Sequence, residues 1–332
     1  MIIKFDCMKK KIIVVAGPTA SGKTALGIEI ANAVGGEIIS ADSMQVYKYM
    51  NIGSAKITKE QMQGIPHHLI DVLEPWEDFN VVTFQKMCKD ALEGIYDRGH
   101  IPIVTGGTGF YIQALLRDID FTENEENTEY RRFLETLSEE KGAAVLHDML
   151  AEVDPVSAEA IHENNRKRVI RALEFYHLTG QPISAHNEEE RKKGAAYDAC
   201  YFVLNDVRER LYQGIEMRVD EMVQNGLVDE VKALKEMGCH RGQVAMQGLG
   251  YKEILSYLDG ECSLEEAVAT VKKETRHFAK RQLTWFRREE DVIWLNKDEF
   301  NYDEEAILEV MLGELKNRGM IGKDIGKNGN SI

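Results

Sequence analysis

Apolar and polar positions along the first hundred residues alternate between two periods. Residues 11–16 are a continuous β-rich apolar run, as expected of a strand buried on both faces. Residues 24–34 follow with Leu26, Ile30 and Val34 at a spacing of four, which predicts a helix. A second short strand is predicted at 37–41 and a third at 69–73. Residues 80–97 place Val81, Phe84, Cys88, Leu92 and Ile95 on one helical stripe, and 101–105 read as another buried strand. Strand, helix and strand in alternation predict a parallel sheet with right-handed crossovers.

The pattern changes near residue 120. From 121 to 196 the β-signal fades and helical spacing dominates, bracketed by the acidic runs Glu123–Glu129 and Glu188–Glu190. Strand pattern returns at 199–204 and again at Val292–Leu295, with helices between, one of them over 207–225, and a last helix over 303–316. The expected fold is therefore α/β: a phosphate-loop core sheet split into residues 1–120 and 197–316, an all-helical insertion at 121–196, and a mobile tail at 317–332.

Composition narrows this further. The chain has 332 residues, 43% hydrophobic and 29% charged, with 41 basic against 56 acidic side chains and a net charge of −15. That excludes a disordered or low-complexity chain. Its apolar runs fall short of the roughly 18–20 residues that cross a bilayer. Lys9–Lys11 ahead of an apolar run imitates a secretion leader, but the run stops at Gly17-Pro18 and reads as a buried strand. The five cysteines are odd in number and widely spaced, with no CxxC pair, so neither a disulfide framework nor a zinc site is indicated and a cytoplasmic location is expected.

The strongest chemical signal is Gly17, Pro18, Thr19, Ala20, Ser21, Gly22, Lys23 and Thr24, a complete GxxxxGK[ST] between a predicted strand and a predicted helix. Its backbone N–H groups can surround a phosphate chain at a helix N-terminus. Lys23 would reach terminal phosphate oxygens and the Thr24 hydroxyl would sit on Mg²⁺. The motif specifies a diphosphate or polyphosphate, not a nucleoside triphosphate. A kinase or ATPase usually adds an apolar strand ending in Asp to hold the metal. Strand 101–105 instead runs into Thr105–Gly109, and Asp71 is a weaker substitute.

Asp42 follows the second strand, at the carboxyl edge where open α/β sheets bind ligands. A carboxylate there serves as a general base or holds metal-bound water, or simply starts a turn with Ser43. Gln45 has the amide that pairs with an adenine edge. Thr108, in the next glycine-rich strand end, would face the same cleft. Two segments oppose the acidic total. Arg166–Arg171 opens a helix, and 276–288 holds five basic residues with no acid, interleaved with Phe278, Trp285 and Phe286. They read either as solvated helix faces or as cation clusters for an RNA backbone, because phosphate affinity follows local charge density. Arg218 could reach a phosphate or serve a structural pairing.

Taken together, GPTASGKT at 17–24, ISADSMQVYKYMNIGSAK at 39–56, PHHLIDVLEP at 66–75, GGTGFY at 106–111, NRKRVIRALEFY at 165–176, QGLGYKE at 247–253 and TRHFAKRQLTWFRR at 275–288 make the chain resemble the tRNA dimethylallyltransferases up to about residue 296. The resemblance implies transfer of a dimethylallyl group from dimethylallyl diphosphate to N6 of the adenosine 3′ of the anticodon, in tRNAs reading codons that begin with U. It implies that residues 17–24 cradle the donor diphosphate with Mg²⁺, that Asp42 is the general base, and that Arg218 holds the diphosphate. It assigns tRNA contacts to Asp42, Ser43, Met44, Gln45, Thr108 and Arg131. Lys167, Arg168 and Arg171, then Gln247, Gly248, Leu249, Gly250, Tyr251 and Lys252 complete that set; Arg281, from the basic segment 276–288, is expected to join them by positioning stem-loop phosphates. The helical insertion would grip the anticodon stem-loop, and the chain is expected to act as a monomer. Competing readings are a prenyltransferase for free adenine nucleotides, a phosphate-loop kinase and a non-catalytic RNA-binding module.

Overall fold

The computed structural model describes residues 9–121 and 129–322. Cys7, the acidic run up to residue 128 and the end of the expected tail from 323 lie outside the described residues. The chain divides into two compact units, one of residues up to 116 together with those from 197, the other Arg117–Ala196.

The first unit is built on six parallel strands: β1 (Lys11–Ala16), β2 (Gly36–Ser40), β3 (His67–His68), β4 (Ile101–Gly106), β5 (Asp198–Asn205) and β6 (Val292–Asn296). Their order across the sheet is β3-β2-β4-β1-β5-β6. β1 lies between β4 and β5, with Val14 beside Val104 and Tyr201, so its apolar run is covered on both faces. Ile12, Val14 and Ala16 face one core and Ile13 and Val15 the other. The first core is completed by α2 (Val81–Asp97), α3 (Gly109–Leu116), α10 (Leu227–Glu236) and α11 (Tyr251–Leu258). The second is closed by α1 (Lys23–Val34) and α13 (Glu304–Asn317). The remaining helices of this unit are α9 (Arg208–Gln224) and α12 (Leu264–Phe286).

Helix ends follow local chemistry. Asn80 accepts from the N–H groups of Val82 and Thr83, both at 3.0 Å, and starts α2. Ser263 and Glu266 form a reciprocal capping box that starts the 23-residue α12.

Two expectations need correction. The third strand is only His67–His68, not 69–73. Leu69 and Asp71 take left-handed φ values of 62° and 55°, which breaks the extended run. Beyond the break Val72 and Leu73 donate to Val46 O at 2.9 and 3.1 Å, so the segment pairs with the 46–48 stretch instead. The tail expected to be mobile from 317 is in part docked. Met320 and Ile321 are buried, and Lys11 Nζ donates to Gly319 O at 2.5 Å.

The second unit contains α4 (Glu129–Lys141), α5 (Ala143–Val153), α6 (Pro155–Ala160), α7 (Arg166–Thr179) and α8 (Ile183–Lys192) around Leu134, Leu146, Leu150, Val169 and Leu173. The buried Asp154 ties it together. It accepts from Ser157 N and Ser184 N, both at 3.0 Å, and from the Ser157 and Ser184 hydroxyls at 2.7 and 2.6 Å. Among the described residues no helix is long and apolar enough to cross a membrane.

Candidate active site

A cavity of about 480 Å³ opens at the carboxyl edge of β1, β2 and β4. Its walls join segments far apart in sequence. They bring together Thr19, Lys23 and Thr24, then Asp42 to Gln45, Thr108, Arg218, Gln247 to Leu249, Lys252 and Arg281. Among the described residues lining it, Asp42 is the single carboxylate against four cations, Lys23, Arg218, Lys252 and Arg281. In a chain of net charge −15 that local inversion marks the cavity as a place for an anion.

Residues 17–22 turn from the end of β1 into α1. Gly22 has φ 90° and Ala20 φ 64°, both left-handed, and Ser21 N donates to Pro18 O at 3.3 Å. Left-handed residues alternating with ordinary ones turn successive N–H groups inward and form an anion-binding concavity. A Cβ at Gly17 would fall 2.7 Å from Leu204 O, so the loop leaves the sheet too close to β5 for a side chain. Gly17, Pro18, Ala20, Ser21 and Gly22 shape this turn without lining the cavity themselves.

Lys23 is half-buried, and its Nζ donates to Pro18 O at 3.3 Å. Loss of water around the ammonium lowers its pKa from 10.5 to about 8; Asp42 opposes the shift and Arg218 adds to it. Arg218, on α9, donates from Nη1 to the Thr19 hydroxyl at 3.4 Å, so two cations converge on the same loop. Asp42 Oδ1 accepts from Met44 N at 2.8 Å and Gln45 N at 3.4 Å. The turn reading of Asp42 is thus realised, and the same side chain lines the cavity.

Several residues singled out in the sequence have partners within the chain. The Gln45 amide donates to Ser54 O and Ala55 O at 3.5 and 3.4 Å, so it braces its own loop. Tyr251 is wholly buried and offers no surface to RNA, while Gly250 N donates to Glu253 Oε2 at 2.9 Å as part of the start of α11. Asp71, the substitute metal ligand, is paired with Lys56 Nζ at 2.5 Å. Arg131, Lys167, Arg168 and Arg171 belong to the helical unit. There Arg131 pairs with the buried Glu174 at 3.1 Å, whereas Lys167 and Arg168 are exposed in the first turn of α7.

Sequence reasoning missed two anchors. Glu230 on α10 accepts from Asn51 N, Ile52 N and Gly53 N at 2.7, 2.8 and 3.0 Å and from the Tyr251 hydroxyl at 2.8 Å. Gln282 on α12 is buried between two strand-end loops. Val271, Thr275, Phe278 and Gln282 all line the cavity at helical spacing. That stripe was legible in the sequence; the loops it meets were not.

For a metal, the described residues contain no group of three or more His, Cys, Asp or Glu placed to hold one. The cavity does offer the Thr24 hydroxyl at the first turn of α1 and the Asp42 carboxylate. Mg²⁺ commonly takes few protein oxygens and completes its shell with water and substrate phosphates, so this donor set fits Mg²⁺ entering with a diphosphate.

The comparisons with known proteins agree with one another. The family described as IPP transferase matches residues 45–289, and the one described as isopentenyl transferase matches 10–72. A tRNA dimethylallyltransferase of Lachnoclostridium phytofermentans is 58% identical over 300 residues, covering 90% of this chain and 96% of the relative. One from Acetivibrio thermocellus is 52% identical over 296 residues, covering 89% and 95%. Among solved structures, the tRNA isopentenylpyrophosphate transferase of Bacillus halodurans is 41% identical with a TM-score of 0.69 over 94% of this chain and 98% of its own. A eukaryotic dimethylallyltransferase acting on tRNA is 31% identical, with a TM-score of 0.81 over 96% and 81%. With family and relatives matched over nearly its whole length, the chain belongs to the tRNA dimethylallyltransferase family.

Proposed function

We propose that this enzyme moves a dimethylallyl group from dimethylallyl diphosphate to N6 of the adenosine 3′-adjacent to the anticodon, in tRNAs reading codons that begin with U. The observation that carries the reading is one cavity lined by Asp42 together with Lys23 and Arg218. A leaving diphosphate needs cations, an attacking amine needs a base, and the two must act on one allylic carbon.

In the reaction the bond from the allylic carbon to the bridging diphosphate oxygen breaks, and a bond from that carbon to adenine N6 forms. The N6 proton passes to the Asp42 carboxylate. An adenine amine is weakly nucleophilic because its lone pair is delocalised into the ring; general base catalysis contributes about 10²–10⁴-fold. Lys23, Arg218 and the N–H groups of residues 22–24 face the charge that grows on the leaving oxygens. Such fixed donors are each worth roughly 2.7–4 kcal/mol in comparable sites. The Thr24 hydroxyl would hold Mg²⁺, which would supply further neutralisation of that charge.

The base must leave its stack to enter the cavity, which costs little in a single-stranded loop. Arg281 and Lys252 at the cavity wall, and Lys167, Arg168 and Arg171 on α7, would meet backbone phosphates, which position without reading sequence. Free AMP would leave the α7 cations without a role. A single-turnover assay with labelled dimethylallyl diphosphate, Mg²⁺ and unmodified tRNA tests the proposal, with AMP and ATP as parallel acceptors. Label on tRNA alone is expected; label on AMP would transfer the enzyme to the free-nucleotide class.

A further inference from the structure

Between the phosphate loop and the loop after β4 lies a side chain that neither contains. Gln282 Oε1 accepts from Thr19 N at 2.9 Å, and its Nε2 donates to Gly107 O at 2.9 Å. One partner is an N–H and the other a carbonyl, so the orientation of the amide is fixed by what it touches. The side chain is buried, and the fit is close: a Cβ at Gly107 would fall 2.2 Å from Gln282 Nε2. Three residues further along α12, Trp285 lies 2.2 Å from where a Cβ of Gly109 would stand. The Thr19 hydroxyl, next to the amide that Gln282 holds, receives Arg218.

From this geometry we infer that Gln282 is a positioning residue for the diphosphate site. It sets the entry of the phosphate loop against the Thr108 loop by one accepted and one donated hydrogen bond. Thr19 N–H is committed to this bond, so the anion cradle is supplied by the N–H groups after it. An amide of this length both accepts and donates across the gap without depending on pH. Methionine fills the space and makes neither bond. Glutamate accepts from Thr19 N, but when ionised it sets a negative oxygen against Gly107 O. When protonated it donates there and restores both bonds. The inference rests on the proposed use of residues 17–24 for the donor diphosphate.

The experiment measures affinity for dimethylallyl diphosphate by calorimetry and transfer to tRNA in parallel, for wild type, Gln282→Met and Gln282→Glu, between about pH 5 and 8. Removing two buried hydrogen bonds predicts a donor affinity weaker by about ten- to a hundredfold in Gln282→Met. In Gln282→Glu the deficit relative to wild type, taken at each pH, shrinks as pH falls and the new carboxyl group takes up its proton. A packing role alone would give no such recovery. Donor affinities equal to wild type in both variants, or a Gln282→Glu deficit independent of pH, would overturn the inference. Amide exchange on the wild-type protein gives a further check that needs no variant: Thr19 N–H should be protected before any donor is added, and free exchange there would also overturn it. Wild type failing to bind the donor or to label tRNA would instead refute the functional reading, a result distinguishable because it appears without any substitution.

Discussion

Tyr251 donates its hydroxyl to Glu230 Oε1 at 2.8 Å, and the same carboxylate gathers the N–H groups of Asn51, Ile52 and Gly53. One acid on α10 thereby fastens the segment carrying Asp42 and Gln45 to the segment carrying Gln247 to Lys252. Gly53 is required here, since a Cβ would fall 2.6 Å from the Tyr251 ring. Tyr251→Phe removes one of four hydrogen bonds to this half-buried carboxylate and should lower stability by about 1–2 kcal/mol. Urea unfolding reads this as a lower midpoint at unchanged slope. Transfer activity measured well below the midpoint should fall only slightly.

Asp42 has two tasks, a turn and a proton. Asp42→Asn retains an oxygen for Met44 N and Gln45 N while losing the basic carboxylate. Its single-turnover rate at saturating substrates should drop by about 10²–10⁴-fold. tRNA binding, measured by filter retention, should stay near wild type. A rate within a fewfold of wild type would remove Asp42 from the role of base.

Lys23 makes donor binding depend on pH. Its pKa is lowered to about 8, chiefly by loss of water, so the donor-free enzyme loses this proton as pH rises through that value. A bound diphosphate favours the ammonium and raises the pKa again. Proton uptake should therefore accompany donor binding between about 8 and 10.5, the lowered and ordinary values. Calorimetry in buffers of different ionisation enthalpy measures that uptake. Lys23→Met should abolish it and weaken donor binding at neutral pH.

Glu37 is a buried acid near the start of β2, held by Arg98 at 2.7 and 2.8 Å and by His68 and His100, both at 2.7 Å. The Arg98 pairing leads in lowering its pKa from 4.5 to about 2. The folded state thus binds this proton less readily than the unfolded chain. Its contribution is fully present above pH 4.5 and fades as pH falls toward 2. The shift amounts to up to about 3 kcal/mol. Glu37→Gln should be less stable than wild type at pH 7, with the difference narrowing on acidification. Denaturation midpoints across that range test it.

Arg168 stands exposed in the first turn of α7. Arg168→Glu should raise the tRNA Michaelis constant and flatten the dependence of log affinity on log salt by about one unit for each phosphate no longer neutralised. An unaltered salt slope would return this helix to an ordinary solvated face.

Much of this arrangement is legible in the sequence because its causes are local. The apolar run of β1 and the glycine spacing of residues 17–22 each state their own geometry. The helical stripe of α2 appears within a residue or two of its observed bounds. What escapes is decided at a distance. His67–His68 is a strand only because Ile38 and Ile39 lie beside it, and the run after it is diverted by left-handed backbone at Leu69 and Asp71. Tyr251 stands in a motif that reads as RNA contact, yet its ring is core because α10 supplies Glu230. Gln282 carries no charge and sits in a basic segment, so nothing nearby announces that its partners are Thr19 and Gly107.

The order of strands also has a consequence for synthesis. β1 needs β5 on one side as much as β4 on the other, yet the whole of residues 117–196 is translated between those two partners. While the ribosome makes that stretch, one edge of β1 waits without a neighbour, an exposed apolar strand of the kind that recruits other chains. The helical unit, held by contacts within itself, can form during the interval. A chain truncated at residue 196 and freed from the ribosome should therefore hold a folded helical unit beside an aggregation-prone core, and addition of residues 198–205 should be the step at which the molecule becomes safe from its neighbours.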